Sequence, residues 1–87
     1  MIARQLVINN KSGLHARPAA VFVQNASKFK SAITIKHQEK TINGKSILSV
    51  LAGGLSCGMA IELLVDGEDE RAAADALMQL FAAGLGE

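Results

Sequence analysis

The sequence predicts an α+β domain in which one β-sheet carries helices on one face, with the element order β-α-β-β-α-β-α. Three observations lead to this fold class. Apolar and polar residues alternate along several short segments, as in half-buried strands, whereas other segments repeat apolar residues at the spacing of a helix face. Glycine and asparagine separate these segments, which indicates short elements joined by turns.

Length and composition predict a single domain spanning residues 1–87. The chain is 49% hydrophobic but only 3% aromatic, so its core must be built mainly from Ala, Val, Ile and Leu. This composition argues against disorder. No internal repeat, low-complexity segment or linker divides the sequence.

The first two predicted elements are a strand and a helix. Residues from Ile2 to Ile8 alternate in polarity, with Leu6 and Ile8 on one face, and the turn residues 9–13 end the strand. The helix is expected over about Ala16 to Ser27. Its apolar residues fall on one stripe, which consists of Ala16, Ala19, Ala20, Val23 and Ala26.

Two short runs rich in β-forming residues, Ala32 to Lys36 and Lys40 to Ile42, predict a hairpin. The connection 37–39 lacks the Asn-Gly or Asp-Gly pair of a two-residue turn, so the sequence leaves its geometry open. His37 lies in this connection. We expect it to be exposed and to have no chemical role.

Ser46 is the predicted N-cap of a short second helix, which runs from Ile47 to about Ala52. Helical spacing places Ile47, Leu48 and Leu51 on one face. In so short a helix this face either forms an exposed apolar patch or packs inward as an ordinary amphipathic helix does. The sequence favours neither alternative.

The last strand and the last helix have clear patterns. From Ala60 to Asp66, branched apolar residues occupy every second position. Negative charge at residues 68–70 favours the start of a helix, and Gly84 marks its end. The predicted buried face of this helix consists of Ala73, Ala76, Leu77, Leu80 and Phe81.

Charge and cysteine content exclude several classes of protein. The chain has nine Lys and Arg and eight Asp and Glu, so its net charge is only +1. This charge produces no strong electrostatic field that would attract nucleic acid or an anionic membrane. The predicted strands also carry no aromatic residues on which RNA bases stack. No stretch approaches the ~20 apolar residues of a spanning helix. Without a signal peptide or a partner for Cys57, we expect a cytoplasmic protein in which this cysteine is an ordinary packing or surface residue.

The segment from Ser12 to Ala20 contains the residues with the strongest chemical signal. Pro18 is tolerated in the first turn of a helix, so His15 stands at or just before a helix start. Free backbone amides and the helix dipole stabilise an anion there and favour a neutral, nucleophilic imidazole. Arg17 adds a planar fork of donors suited to phosphate oxygens. Together these residues predict a histidine that accepts and returns a phosphoryl group.

The heptad Gly13-Leu14-His15-Ala16-Arg17-Pro18-Ala19 resembles the active-site motif of HPr, the phosphocarrier family of the bacterial phosphoenolpyruvate-dependent sugar phosphotransferase system. The segment Lys45-Ser46-Ile47-Leu48 resembles the regulatory serine region of this family, and the likeness covers essentially all 87 residues. The resemblance implies an open-faced β-sandwich, in which three helices cover one face of a four-stranded antiparallel sheet.

The resemblance also implies roles for the first motif. His15 would accept a phosphoryl group on Nδ1 from phospho-enzyme I and pass it to sugar-specific IIA proteins or domains, while Arg17 would bind the phosphoryl oxygens. Ala16 and Pro18 would support phosphate binding at the helix start. Such a protein is a stoichiometric carrier rather than an enzyme, and it needs no cofactor. No metal-ligand spacing occurs among the histidines and Cys57.

Ser46 has two interpretations. In one, its hydroxyl only caps the second helix. In the other, which the resemblance implies, HPr kinase/phosphorylase phosphorylates it, and the modified form acts as a co-repressor with a catabolite control protein. The sequence departs from this regulated version at Leu48 and Leu51, where methionine is frequent, and at Gly44 and Gly53.

We expect enzyme I and the IIA proteins to dock on a small apolar surface beside the histidine, formed by Ala20, Ile47, Leu48 and Leu51. The protein is expected to be a monomer, to bind no nucleic acid and not to insert into a membrane. Two alternatives remain. One is an HPr paralogue in a nitrogen-related or regulatory phosphorelay; the other is a co-repressor module that acts through phospho-Ser46 while His15 is vestigial.

Overall fold

The computed structural model describes residues 1–87 and contains three helices and four strands in the predicted order. The strands are β1 (Ile2–Val7), β2 (Ala32–His37), β3 (Lys40–Asn43) and β4 (Ala60–Asp66). The helices are α1 (Ala16–Ala26), α2 (Ile47–Ala52) and α3 (Glu70–Ala82). None of the helices has the length and apolar character needed to cross a membrane.

The four strands form one antiparallel sheet in the spatial order β1-β4-β2-β3. Alternation along β4 shows how the sheet separates its two faces. Ile61, Leu63 and Val65 are buried, whereas Glu62 and Asp66 belong to the opposite face. The buried side packs against the helices in one core of 18 apolar residues, and the other side is open. The predicted α+β open-faced β-sandwich is therefore confirmed.

The buried stripe of α1 differs from the predicted one. Phe22 is fully buried and contacts the ring of Phe81 at a centroid distance of 5.4 Å, whereas Ala16 is exposed. Ala20 and Val23 are only partly buried. The prediction was wrong in the rotation of the helix because it favoured the small residues. The large Phe22 ring removes more apolar surface from water and so directs its own side of the helix inward.

The buried face of α3 is also displaced from the predicted one. Ala73, Leu77 and Phe81 are buried as expected, but Ala74 is buried in place of Ala76, which is exposed. Leu80 is only partly covered. The residues one, four and eight positions after Ala73 lie on the same face of the helix as Ala73. The four buried residues of α3 therefore form a continuous stripe against the sheet.

The hairpin connection is shorter than the predicted 37–39 segment. His37 is the last residue of β2 and pairs with Lys40, which leaves a two-residue turn. The His37 Nδ1 lies 3.0 Å from the carbonyl oxygen of Ala60. Gln38 adopts φ 57°, a left-handed conformation that this tight turn requires and that Asn or Gly would adopt more readily. Because the Asn-Gly or Asp-Gly pair of a two-residue turn is absent, the sequence did not indicate this short connection.

Asp69 joins the start of α3 to the segment that precedes β2. Its carboxylate accepts hydrogen bonds from the backbone amides of Lys30 and Ser31, both at 2.9 Å, and from the Ser31 hydroxyl at 2.5 Å. These bonds, the Ser31 hydroxyl first, lower the pKa of Asp69 from 3.8 to about 2. Ser31 is buried, so this carboxylate satisfies polar groups that water does not reach.

We predict that Asp69→Asn lowers the melting temperature at neutral pH. Because the folded-state pKa is depressed, the charged carboxylate contributes stability that is fully present above the unfolded value near 3.8 and is lost as the pH falls towards about 2. The difference in melting temperature between wild type and variant should therefore shrink between these values. Asp75→Asn, at an exposed position of the same helix, is the control. A difference that stays constant down to pH 2 contradicts this account.

Candidate functional site

The segment before α1 is held by its contacts with the loop before β4. Leu14 is fully buried, and its amide donates a hydrogen bond to the carbonyl oxygen of Leu55 at 2.9 Å. Gly13 adopts φ 64°, and a Cβ at this position would lie 2.5 Å from the same oxygen. Only glycine fits so close an approach. These two residues therefore fix where His15 leaves the loop.

His15 is the N-cap of α1. It has extended backbone angles, and its carbonyl oxygen accepts the first helical hydrogen bond from the Ala19 amide at 3.4 Å. Its side chain makes no capping hydrogen bond, and the residue is half-buried. The imidazole is therefore held at a helix start by its backbone while its ring nitrogens remain available for chemistry.

The first turn of α1 supplies free hydrogen-bond donors. The amides of Ala16 and Arg17 have no hydrogen-bond partner, and Pro18, which is buried, has no N–H to satisfy. Ala16 has φ 51°, a left-handed conformation that costs a non-glycine residue about 1–3 kcal/mol and is retained only where the surroundings enforce it. Two free amides and the positive end of the helix dipole thus occur directly after His15 in the chain, which suits a bound anion.

Arg17 contributes the only side-chain cation at this helix start. The residue is exposed, and its guanidinium forms no salt bridge with any carboxylate. Its fork of donors is therefore free to bind the oxygens of a phosphoryl group. His15, Ala16, Arg17 and Pro18 are consecutive, so the structure places all four predicted residues at one end of α1.

Ser46 is the N-cap of α2, as predicted. Its Oγ accepts a hydrogen bond from the Ser49 amide at 3.2 Å, and its carbonyl oxygen accepts one from the Val50 amide at 3.0 Å. The residue is half-buried. The predicted N-cap role of Ser46 is therefore confirmed, and the residue is partly accessible.

The apolar face of α2 is exposed. Ile47, Leu48 and Leu51 keep 38%, 77% and 39% of their surface accessible, and Val50 is the one fully buried residue of the helix. The structure thus decides between the two alternatives that the sequence left open. We call these three residues the α2 patch. Because α1 and α2 pack against each other, the patch lies on the helix next to the one that carries His15 and the half-buried Ala20.

The site has no pocket for a small molecule. Four depressions occur on the surface, and neither His15 nor Arg17 lines any of them. One of them is bordered by residues of β1, β2 and β4 and by Gln38 of the hairpin turn. No group of three or more metal-ligating side chains is present, and Cys57 is a free, exposed cysteine.

Sequence reasoning missed a contact next to the site that joins Asn10, Ser12 and Glu87. Asn10 and Ser12 lie in the loop before His15, and both donate hydrogen bonds to the carboxylate of Glu87. The sequence separations are 77 and 75 residues. No local pattern signals such a contact, because it depends on how α3 ends and where the chain then turns.

Known proteins resemble this chain over nearly its whole length. Residues 2–83 match the family model described as the PTS HPr component phosphorylation site. The phosphocarrier protein HPr of Treponema pallidum is 43% identical over 81 residues, which cover 93% of this chain and 92% of that protein. The HPr-like protein Crh of Halalkalibacterium halodurans is 41% identical over 78 residues, covering 90% and 93%. The crystal structure of HPr-C-His from Thermoanaerobacter tengcongensis superposes with a TM-score of 0.97 at 45% identity, covering 100% of this chain and 98% of that one.

Proposed function

This chain belongs to the HPr family of phosphocarrier proteins, and from that premise we propose that it carries a phosphoryl group on His15 between phospho-enzyme I and sugar-specific IIA proteins or domains. The observation that supports this most directly is the geometry of the α1 start. The His15 side chain makes no capping bond, and the two residues that follow it, Ala16 and Arg17, have unpartnered amides. A nucleophile, anion-binding donors and a free guanidinium therefore occur together.

The chemistry is a pair of nucleophilic displacements at phosphorus. The lone pair of His15 Nδ1 forms the N–P bond while the bond from the donor to phosphorus breaks and its electron pair stays on the donor. In the second step the acceptor attacks phosphorus and the electron pair returns to His15. The protein supplies position and charge stabilisation rather than further reactants. It is consumed and regenerated as a carrier, with no cofactor.

Arg17 and the helix-start amides stabilise the charge on the phosphoryl oxygens. Pro18 is buried and fixes the first turn, and Ala16 directs its amide through a left-handed conformation. An exposed guanidinium holds an anion less firmly than a buried one, because water competes for the same oxygens. This balance suits a carrier, since phosphate bound too tightly could not be passed on.

The test is incubation with phosphoenolpyruvate and enzyme I, followed by mass spectrometry. We expect one phosphoryl group per chain, released by mild acid and transferred to a IIA protein when one is added. A protein that gains no mass contradicts the proposal. So does a modification that is stable to acid, because a phosphate ester rather than a phosphohistidine would then have formed.

Docking would use the α2 patch together with Ala20. An apolar centre near Arg17 provides a small interface, and small interfaces allow rapid release. In this proposal the protein acts as a monomer in the cytoplasm. The partners that this surface serves are proteins, not nucleic acid or a membrane.

Regulation at Ser46 is a second candidate function, supported by its partly accessible position at the start of α2. We predict that HPr kinase and ATP phosphorylate Ser46. The added charge, about −1.5 to −2, would lie directly beside Ile47 of the α2 patch and slow phosphoryl uptake from enzyme I. Phosphopeptide mapping identifies the site, and uptake assays on the modified protein measure the inhibition.

Ser46→Ala is the control for this regulatory prediction. It removes the acceptor hydroxyl, and loss of the cap should cost about 0.5–2 kcal/mol of stability. A wild-type protein that the kinase leaves unmodified contradicts the prediction, as does label that persists in the variant. The co-repressor alternative requires, in addition, that the phosphorylated protein bind a catabolite control protein.

A further inference from the structure

The chain beyond α3 folds back towards the loop that precedes His15. Gly84 and Gly86 have φ values of 79° and 84°, which the successive tight turns require. Between them Leu85 is 1% exposed, and its amide donates a hydrogen bond to the carbonyl oxygen of Leu80 at 3.0 Å. A buried side chain and turn hydrogen bonds therefore fix the direction of the chain. They place Glu87 against the loop.

The Glu87 carboxylate accepts three hydrogen bonds from this loop. Oε1 accepts from the Ser12 amide at 3.0 Å and from Asn10 Nδ2 at 2.9 Å, and Oε2 accepts from the Ser12 hydroxyl at 2.6 Å. Hydrogen bonds to a charged acceptor are stronger than those between neutral groups. Both carboxylate oxygens therefore accept hydrogen bonds from the loop. We call this contact of Glu87 with Asn10 and Ser12 the Glu87 clamp.

The same bonds stabilise the charged form of the carboxylate. The Ser12 hydroxyl, followed by the Ser12 amide and the Asn10 side chain, holds the pKa of Glu87 below its ordinary value, and the nearby Lys11 acts in the same direction. Glu87 is therefore ionised at neutral pH, and the clamp is formed under the conditions in which the protein works.

Asn10 extends the clamp to the residues next to His15. Its Nδ2 also donates to the carbonyl oxygen of Gly13 at 2.8 Å, and the residue is only 5% exposed. Its Oδ1 is buried without a partner. Because Oδ1 has no partner, the orientation of the Asn10 side chain depends on the two partners of its Nδ2. Here these partners are Gly13 and Glu87.

We propose that Glu87 is a positioning residue, whose carboxylate clamps the Asn10–Gly13 loop and thereby fixes the direction from which His15 meets its phosphoryl donor. On one side of the loop, Leu14 is anchored to Leu55 by a backbone hydrogen bond. On the other, Glu87 holds Asn10 and Ser12. Transfer between two proteins demands close alignment of the reacting atoms, so a loose loop should slow it. This inference rests on the proposed phosphocarrier function.

The test compares Glu87→Ala, Glu87→Gln and the control Glu39→Ala, which changes an exposed carboxylate in the hairpin turn. We expect Glu87→Ala to lower the maximal rate of His15 phosphorylation by enzyme I about tenfold, because a small misplacement costs alignment. The concentration at half-maximal rate should stay unchanged, since the α2 patch is intact. The maximal rate of Glu87→Gln should lie between those of the wild type and Glu87→Ala, because the amide oxygen of Gln still accepts hydrogen bonds from Ser12 and Asn10.

A second measurement reports on the loop itself. Amide hydrogen exchange at Ser12 should accelerate in Glu87→Ala, and the ring resonances of His15 should shift. The melting temperature should also fall, because the loop loses its three hydrogen bonds to the Glu87 carboxylate. Equal maximal rates in Glu87→Ala and Glu39→Ala, with the Ser12 amide still protected from exchange, would overturn the positioning role of Glu87. They would leave the proposed phosphocarrier function intact. A lower melting temperature with an unchanged rate would also overturn it, since Glu87 would then act only on stability. A wild-type protein that accepts no phosphoryl group would instead overturn the proposed function, and with it the role of Glu87 in transfer.

Discussion

Replacing His15 with alanine is expected to abolish phosphoryl uptake from phospho-enzyme I completely. The reaction needs a nitrogen lone pair at the start of α1, and no other side chain there provides one. His37, the only other histidine, lies at the end of β2, where its Nδ1 is 3.0 Å from the carbonyl oxygen of Ala60. Uptake is measured by mass spectrometry after incubation with phosphoenolpyruvate and enzyme I.

His37→Ala is the matched control, and it should retain uptake at the wild-type rate. Because the His15 side chain makes no capping bond, His15→Ala should change the free energy of unfolding by no more than about 0.5 kcal/mol. Residual labelling of a folded His15→Ala protein would assign the phosphoryl group to another residue. If Ser46-dependent binding of a partner survives in this variant while uptake is lost, the two proposed functions act through separate sites.

Placing a charge on the α2 patch is expected to have the second-largest effect. Leu48 is 77% exposed, so Leu48→Glu removes little buried surface from the folded protein but introduces a carboxylate at the centre of the proposed docking surface. Apolar centres of interfaces contribute most of the binding energy. We expect the concentration of this protein that gives half-maximal transfer from enzyme I to rise about tenfold or more.

Val7→Glu is the control for Leu48→Glu. Val7 is also a large exposed apolar residue, but it lies in β1 at the edge of the sheet. Both variants should keep the wild-type melting temperature, and only Leu48→Glu should weaken transfer. Equal effects of the two substitutions on transfer would show that the added charge matters rather than its position. A large loss of stability in Leu48→Glu would contradict the exposed placement of this residue.

Secondary structure was most predictable where one pattern dominated a segment. The bounds of β4 and α2 match the expected ones because every second residue of β4 is branched and apolar, and because Ser46 and Gly53 mark the ends of α2. The rotation of α1 was less predictable. Nearly every residue on two of its sides is apolar, so the sequence does not show which side is buried. Whether Ala16 or Phe22 faces the core depends on the surface of the sheet against which α1 packs.

The exposure of the α2 patch could not be decided from the sequence. An isolated helix of six residues presents the same periodicity whether its apolar face points inward or outward. The fold decides the question, since Val50 alone reaches the core. The short hairpin turn was missed for a related reason. Gln38 adopts a left-handed conformation that the strand pairing imposes and that its residue type does not favour.

The sequence could predict only the part of the candidate site whose residues are close together in the chain. His15, Arg17 and Pro18 are neighbours in sequence, so their position at a helix start followed from local rules. The Glu87 clamp joins residues at opposite ends of the sequence, and its existence depends on the buried position of Leu85. Contacts of this kind require the folded structure, because no short-range pattern specifies them.

Locating the phosphoryl group on the protein after reaction with phosphoenolpyruvate and enzyme I tests most directly whether His15 carries it. Nuclear magnetic resonance of the phosphorylated protein distinguishes the two ring nitrogens of His15 and separates this residue from His37. We expect a single phosphoryl group on Nδ1 of His15. A phosphoryl group found on His37, on a serine or on no residue at all would contradict it.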